Sequence, residues 1–236
     1  RILVPREREG ALAEALVARL GATVVGDPAD PAVTMGPLAT GAQLADALDG
    51  IAELLATTQL LSGSGARVDG RGAPAGKGYF VEPTLLRSEY PLEKTPVHWR
   101  EVFGPVATLL PYSGGADEAA QIVALAEGTL VTSAYSDDAD WLSGLLAGAG
   151  GSTGRLYVGS TGSQGFGSGA ALPASLHGGP GRAGGGEELG GLRGLAPYLQ
   201  RVALQGDRAL IEPLAGVTPR PSASDASQAP VQRRAE

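Results

Sequence analysis

The chain of 236 residues contains no cysteine. That excludes disulfides, thiolate metal sites, iron–sulfur clusters and a Cys nucleophile within these residues. Histidine is scarce as well: His98 and His177 are the only two, and neither lies in an HExxH pattern, so no metal site is expected. No apolar run approaches the roughly 18 uninterrupted residues of a membrane span. With 43% hydrophobic residues there is enough apolar material for a core; a soluble, cytoplasmic, globular protein without a membrane partner is expected. Positive charge is thin, since 18 Lys+Arg against 25 Asp+Glu leave −7. The basic residues form no stripe that could follow a phosphate backbone, which argues against a nucleic-acid partner. No internal repeat is visible. The chain opens Arg1-Ile2-Leu3-Val4-Pro5, without an initiator Met or the regions of a signal peptide, and reads as a piece of something longer.

What is present alternates. Leu12, Leu16 and Leu20 with Val17 give a helix over 7–20 with one buried stripe, and Gly21 is placed for a left-handed cap. Thr23–Val25 reads as a short strand before the breaker GDPADP. Thr40 can cap a helix over 41–56 with Leu44, Leu48, Ile51 and Leu55 on one face. Strands are expected at 59–61 and 106–110, with a Gly-rich loop over 62–78 and extended backbone at Tyr79–Val81. Helices at 117–127 and 138–147 alternate with strands at 130–135 and 155–158. This order predicts an α/β fold, a mainly parallel sheet with helical crossovers. Leu192–Leu199 reads as a short helix and Val202–Gln205 as a C-terminal edge strand. The Pro/Ser/Ala/Gln mixture near the end cannot bury enough apolar surface to order, so a domain over 1–212 and a disordered tail or linker over 213–236 are expected.

Residues 144–194 hold 19 of the chain's 37 glycines. Such density means either a flexible connector or backbone that must approach a ligand or another backbone closely. Gly179-Pro180-Gly181-Arg182-Ala183-Gly184 matches GxGxxG formally, but no strand precedes it and no helix opens from it. Gly76-Lys77-Gly78 lacks the Ser/Thr of a P-loop, which leaves Lys77 a solvated loop charge. The adjacent Glu187 and Glu188 suit a helix start better than paired acid/base work. Glu101 and Phe103 lie two apart on an extended segment and face one side before Gly104-Pro105 turns the chain. One can accept hydroxyl hydrogen bonds and the other can stack on a flat ring; a structural turn remains the alternative. His98 reads as a satisfied, partly buried histidine rather than a base.

GDPADPAVTMGPL (26–38), GKGYFVEPTLL (76–86) and REVFGPV (100–106) resemble three consecutive signatures of the aldehyde dehydrogenase superfamily, in order and spacing. Within it, PVHWREVFGPVATLLPY and LHGGPGRAGGGEELGGLRG (176–194) resemble the dehydrogenase domain of bifunctional phenylacetate ring-opening enzymes, which oxidise CoA-linked semialdehydes. The likeness covers roughly residues 1–210. It implies a partial catalytic domain of that family, an NADP or NAD cofactor, a small-molecule aldehyde of the CoA-linked kind as substrate, and a homo-oligomer. It also implies that Glu101 holds the ribose hydroxyls of the nicotinamide half and that Phe103 packs near the nicotinamide ring. His177, Gly178, Gly179, Gly181 and Arg182 fall on the substrate side, with their glycines as close-approach positions.

The family's thiohemiacetal-forming Cys and its Glu general base have no counterpart here, so no catalytic residue is assigned within the chain. RILVP resembles the segment just after the Cys motif, which puts the nucleophile, the base and the Rossmann domain upstream. Two other readings stay open. One is a non-catalytic, cysteine-free derivative that pairs with full-length subunits; the other is a Gly-rich α/β binding domain of different ancestry.

Overall fold

The computed structural model describes residues 1–160, 162, 178–185 and 192–195. Its elements are β1 (Ile2–Pro5), α1 (Glu9–Gly21), α2 (Gly41–Leu55), β2 (Gln59–Ser62), β3 (Thr84–Arg87), α3 (Pro96–Trp99), β4 (Val106–Tyr112), α4 (Ala116–Ala124), β5 (Thr129–Tyr135), α5 (Ala139–Ala149), β6 (Thr153–Gly159) and the short α6 (Leu192–Leu195). One four-stranded sheet has the order β1-β4-β3-β2 and a second sheet pairs β5 with β6. β4 runs parallel to both β1 and β3, β5 runs parallel to β6, and β2 alone is antiparallel to its neighbour β3. The expected α/β architecture with a mainly parallel sheet is therefore present. The edge strand expected at Val202–Gln205, the tail and the boundary near 212 fall outside the described residues.

Local chemistry explains where the helices start. The Thr40 hydroxyl accepts from the Gln43 amide at 3.2 Å, and Gln43 Oε1 accepts from the Ala39 amide at 3.0 Å, a reciprocal cap on α2. Asp138 Oδ1 accepts from both Asp140 and Trp141 amides at 3.0 Å, which fixes the start of α5. Between α4 and α5 the contact is made of small residues: a Cβ on Gly144 or Gly148 would stand 3.0 or 2.7 Å from the Cβ of Ala116 or Ala120. The core around these helices includes Leu54, Leu86, Leu110, Ile122, Val123 and Leu145, all buried. Each such side chain contributes on the order of 2 kcal/mol on burial.

Several local expectations are corrected. Gly21 ends α1 in right-handed conformation and Ala22 caps it, so no left-handed residue is needed there. The α1 stripe is only half-buried, and the helix touches both β1 and β2. Its N-terminus is pinned instead by charge, through the ion pair of Glu9 with Arg87 on β3. Thr23–Val25 is not a strand; Val25 and Gly26 make single bridges to Met35 and Arg71. Val81 makes one bridge to Arg67, and the true strand follows it at β3, buried between β2 and β4. On α2 the buried face runs through Ala47, Gly50, Ile51 and Leu54, rotated from the all-leucine line toward the smaller residues.

Candidate functional site

Residues 100–106 lie against α2. A Cβ on Gly50 would meet Val102 Cγ2 at 2.7 Å and Arg100 Nε at 3.0 Å, so the missing side chain is what lets the segment sit so close. Arg100 donates from Nη2 to Asp46 Oδ1 at 2.8 Å and to the Asp46 carbonyl at 3.1 Å, and its Nε lies 3.4 Å from Glu53 Oε2. These carboxylates raise the guanidinium's affinity for its proton. Residues 100 and 102 thus face the helix, while Glu101 is exposed and Phe103 is 70% exposed. The outward alternation of Glu101 and Phe103 is present, but its cause differs from the expected one: the segment is not part of a sheet and is fixed by side chains. Two tight turns follow, Gly104 N–H to the Val102 carbonyl at 2.9 Å and Val106 N–H to the Gly104 carbonyl at 2.8 Å. They deliver the chain into β4. Phe103, Val102 and Pro105 line a groove of about 560 Å³ with Met35 and Leu38 opposite. An open apolar groove beside an outward carboxylate can take a flat ring on one side and hydroxyls on the other.

The 178–185 turn is held by another means. A Cβ on Gly154 would overlap the Gly178 carbonyl, one on Gly128 the Pro180 carbonyl, and one on Gly181 the Glu127 carbonyl. Gly128 and Gly181 also take φ values of +125° and +53°, where a side chain adds strain. Here backbone meets backbone, which favours the close-approach reading over the flexible connector for these residues. The GxGxxG match contains a single 3₁₀ turn, Gly181–Ala183, and the described residues directly after it, Gly184 and Gly185, are not helical. Glu127, at φ +56°, is the one described non-glycine in the left-handed region; its carbonyl accepts from the Arg182 amide at 2.9 Å. His177 and the pair Glu187–Glu188 lie outside the described residues.

His98, on α3, is fully buried rather than partly so. Arg1 donates from Nη1 to His98 Nδ1 at 2.9 Å and to the Ile122 carbonyl at 2.7 Å, and from Nη2 to the Val123 carbonyl at 3.3 Å. Because a guanidinium only donates, Nδ1 must accept and the ring proton sits on Nε2. Burial first, and the Arg1 charge second, push the imidazole down to about 4. His98 is therefore neutral and held at Nδ1, but it is not the fully satisfied histidine expected, because its Nε2 is buried without a hydrogen-bond partner. Beside it is a second hollow of about 700 Å³ whose lining includes Lys94, Trp99 and Arg182. Arg182 Nη2 donates to the Trp99 carbonyl at 2.8 Å across 83 residues of sequence. In the sequence Arg182 and His98 stand out separately, whereas Arg1, Lys94 and Trp99 carry no local signal of this meeting. Phe103 lines a different groove from Arg182, and Glu101, though exposed beside it in the chain, lines neither.

Among the described residues no group of three or more His, Asp or Glu could hold a metal, and no helix is long and apolar enough to cross a membrane. With fold and grooves in view, comparison with known proteins defines the class. The aldehyde dehydrogenase family model matches residues 1–201, and the chain belongs to that family. It is 39% identical over 182 residues to a 3,4-dehydroadipyl-CoA semialdehyde dehydrogenase of Aromatoleum evansii, covering 76% of this chain and 35% of that protein. It is 36% identical over 180 residues to the MaoC protein of Klebsiella aerogenes, covering 75% and 52% respectively. The chain thus spans between a third and about half of these relatives. The succinic semialdehyde dehydrogenase of Streptococcus pyogenes, solved with NADP+, superposes at a TM-score of 0.64 with 26% identity, over 80% of this chain and 38% of that one. An aldehyde dehydrogenase of Bacillus cereus in complex with NAD+ shares the fold at a TM-score of 0.65, with 22% identity, over 80% and 35%.

Proposed function

We propose that this chain is the greater part of the catalytic domain, ending near residue 212, of a cytoplasmic, homo-oligomeric, NAD(P)-dependent dehydrogenase. Its substrate is a CoA-linked semialdehyde, oxidised to the acid in the breakdown of phenylacetate or a related aromatic acid. The observation that carries this reading is that Glu101 and Phe103 both point outward, with Phe103 lining the 560 Å³ groove, in the segment that resembles the family's cofactor signature. The identity with the CoA-semialdehyde dehydrogenase supports the substrate class. When bound, the cofactor would supply a hydride acceptor for oxidation of the aldehyde. The chain's part is to orient it: Glu101 accepts from the ribose hydroxyls as a charged, and therefore strong, acceptor, and Phe103 supplies a face against the ring. Gly178, Gly179, Gly181 and Arg182, with His177, belong to the substrate side.

In the complete dehydrogenase that contains this chain, Glu101→Gln should raise KM for NAD(P) about 10- to 100-fold. That corresponds to losing a charge-assisted bond of about 1.5–3 kcal/mol; Glu101→Asp should fall between. An unchanged KM in both variants would remove the reading. The cysteine-free chain by itself should produce no steady NAD(P)H with any aldehyde, because it offers no thiolate; sustained turnover would overturn the assignment.

A further inference from the structure

The two segments that resemble the CoA-semialdehyde branch meet in space. PVHWREVFGPV contributes α3 and LHGGPGRAGG contributes the 178–185 turn, and they are joined by the bond from Arg182 Nη2 to the Trp99 carbonyl at 2.8 Å. Beside that joint lies the hollow of about 700 Å³, within the range of small-molecule sites. Its lining unites three kinds of group. Lys94 and Arg182 are exposed cations in a chain whose net charge is −7. The Trp99 indole is 42% exposed and Leu92 is 44% exposed beside it. Glu127, in the strained left-handed conformation, adds a carboxylate. His98 adds an uncharged ring whose Nδ1 is engaged by Arg1 and whose Nε2–H has no hydrogen-bond partner.

We infer that this hollow binds the phosphorylated arm of a CoA thioester, with Lys94 and Arg182 on its phosphates and the Trp99 indole against its adenine or pantetheine portion. Glu127 is then an acceptor for the amide N–H groups of the pantetheine chain. A phosphate between an ammonium and a guanidinium gains charge-assisted bonds, an adenine has a π-face to lay on an indole, and a local cation pair attracts an anion that the acidic chain as a whole repels. The inference rests on the proposed function for the identity of the substrate, but on different residues from those that carry it.

The test is a titration of the 236-residue chain with coenzyme A at low ionic strength, following tryptophan emission and heat. The absence of cysteine removes mixed disulfides with the CoA thiol as a source of signal. Trp99 and Trp141 are the only tryptophans, so saturable quenching that disappears in Trp99→Phe reports this hollow. Lys94→Gln and Arg182→Gln should each move the midpoint at least about tenfold upward, the loss of one charge-assisted contact. Pantetheine, which has no phosphate, should bind at least tenfold more weakly than coenzyme A, and NADP+ should likewise be at least tenfold weaker. If Arg182→Gln fails to fold, Lys94→Glu tests the same point from a solvent-exposed side chain. No saturable response to coenzyme A, equal potency of NADP+, or indifference to both charge substitutions would overturn the inference. A failed titration beside a raised NAD(P) KM for Glu101→Gln in the complete enzyme sinks this site alone. A coenzyme A response beside an unaffected Glu101→Gln enzyme sinks the cofactor reading alone.

Discussion

Two segments on which the family resemblance rests are fixed by opposite means. Residues 100–106 are gripped by side chains: the Arg100 guanidinium on Asp46 and Glu53, and Val102 over Gly50. Residues 178–185 are gripped by the lack of side chains, with Gly128, Gly154 and Gly181 each letting a carbonyl oxygen come closer than a Cβ permits. The first arrangement leaves Glu101 and Phe103 outside and replaceable without harm to the fold. The second puts the glycines inside the packing, where replacement is a question of folding. A shared motif status therefore hides different tolerances, and mutation can separate them.

The largest expected effect is at the glycine joint. Gly154→Ala should destabilise the chain by about 4 kcal/mol, since a backbone carbonyl rather than a pliable side chain blocks the new methyl group; the urea midpoint measures it. A loss under about 1 kcal/mol would mean that the turn can slide away, and the contrast drawn above would fail.

Next comes acid. His98 has an affinity for its proton reduced from 6.5 to about 4 in the folded chain, so the unfolded chain binds more protons between those values. Stability should be complete above pH 6.5 and fall by about 3 kcal/mol as pH drops through 4. The groups acting on the ring are the Arg1 guanidinium and α-ammonium and the backbone of Pro91 and Glu93. His98→Gln should flatten this part of the stability profile, as read by urea melts at pH 7, 5.5 and 4. Persistence of the slope would assign it to carboxylates instead.

The smallest effect sharpens the comparison most. Phe103→Ala should change stability by less than about 0.5 kcal/mol because the ring is 70% exposed, while raising the NAD(P) KM of the complete enzyme. A stability loss above 2 kcal/mol would make Phe103 a packing residue and would bring the two segments back into one class.

Much of this fold is legible in the chain because its signals are local. Thr40 with Gln43 three residues on, or Asp138 before a run of apolar residues, specifies a helix start whatever surrounds it. Val106–Tyr112 announces a buried strand by continuous apolarity. β3 is harder to see: four residues after Pro83 show no alternation, since both faces and both edges are covered, and Tyr79–Val81 looks more like a strand than the true one. β1 is short and half-buried, and only its pairing with β4 makes it a strand.

The candidate site divides in the same way. Glu101 and Phe103 could be picked out because a two-residue spacing before Gly-Pro is visible in the sequence, and Arg182 because it sits in a distinctive glycine run. That Arg182 reaches the Trp99 carbonyl, that Arg1 fixes His98 from the far end of the described chain, and that Lys94 faces the same hollow are contacts between positions 80 or more residues apart. By itself the sequence determined the longer helices, the apolar strand at 106–112, the absence of a thiol and the family. Which glycines bear on backbone, and which cations share a cavity, only the packed chain decided, because those contacts exist only once distant segments are brought within a few ångströms of one another.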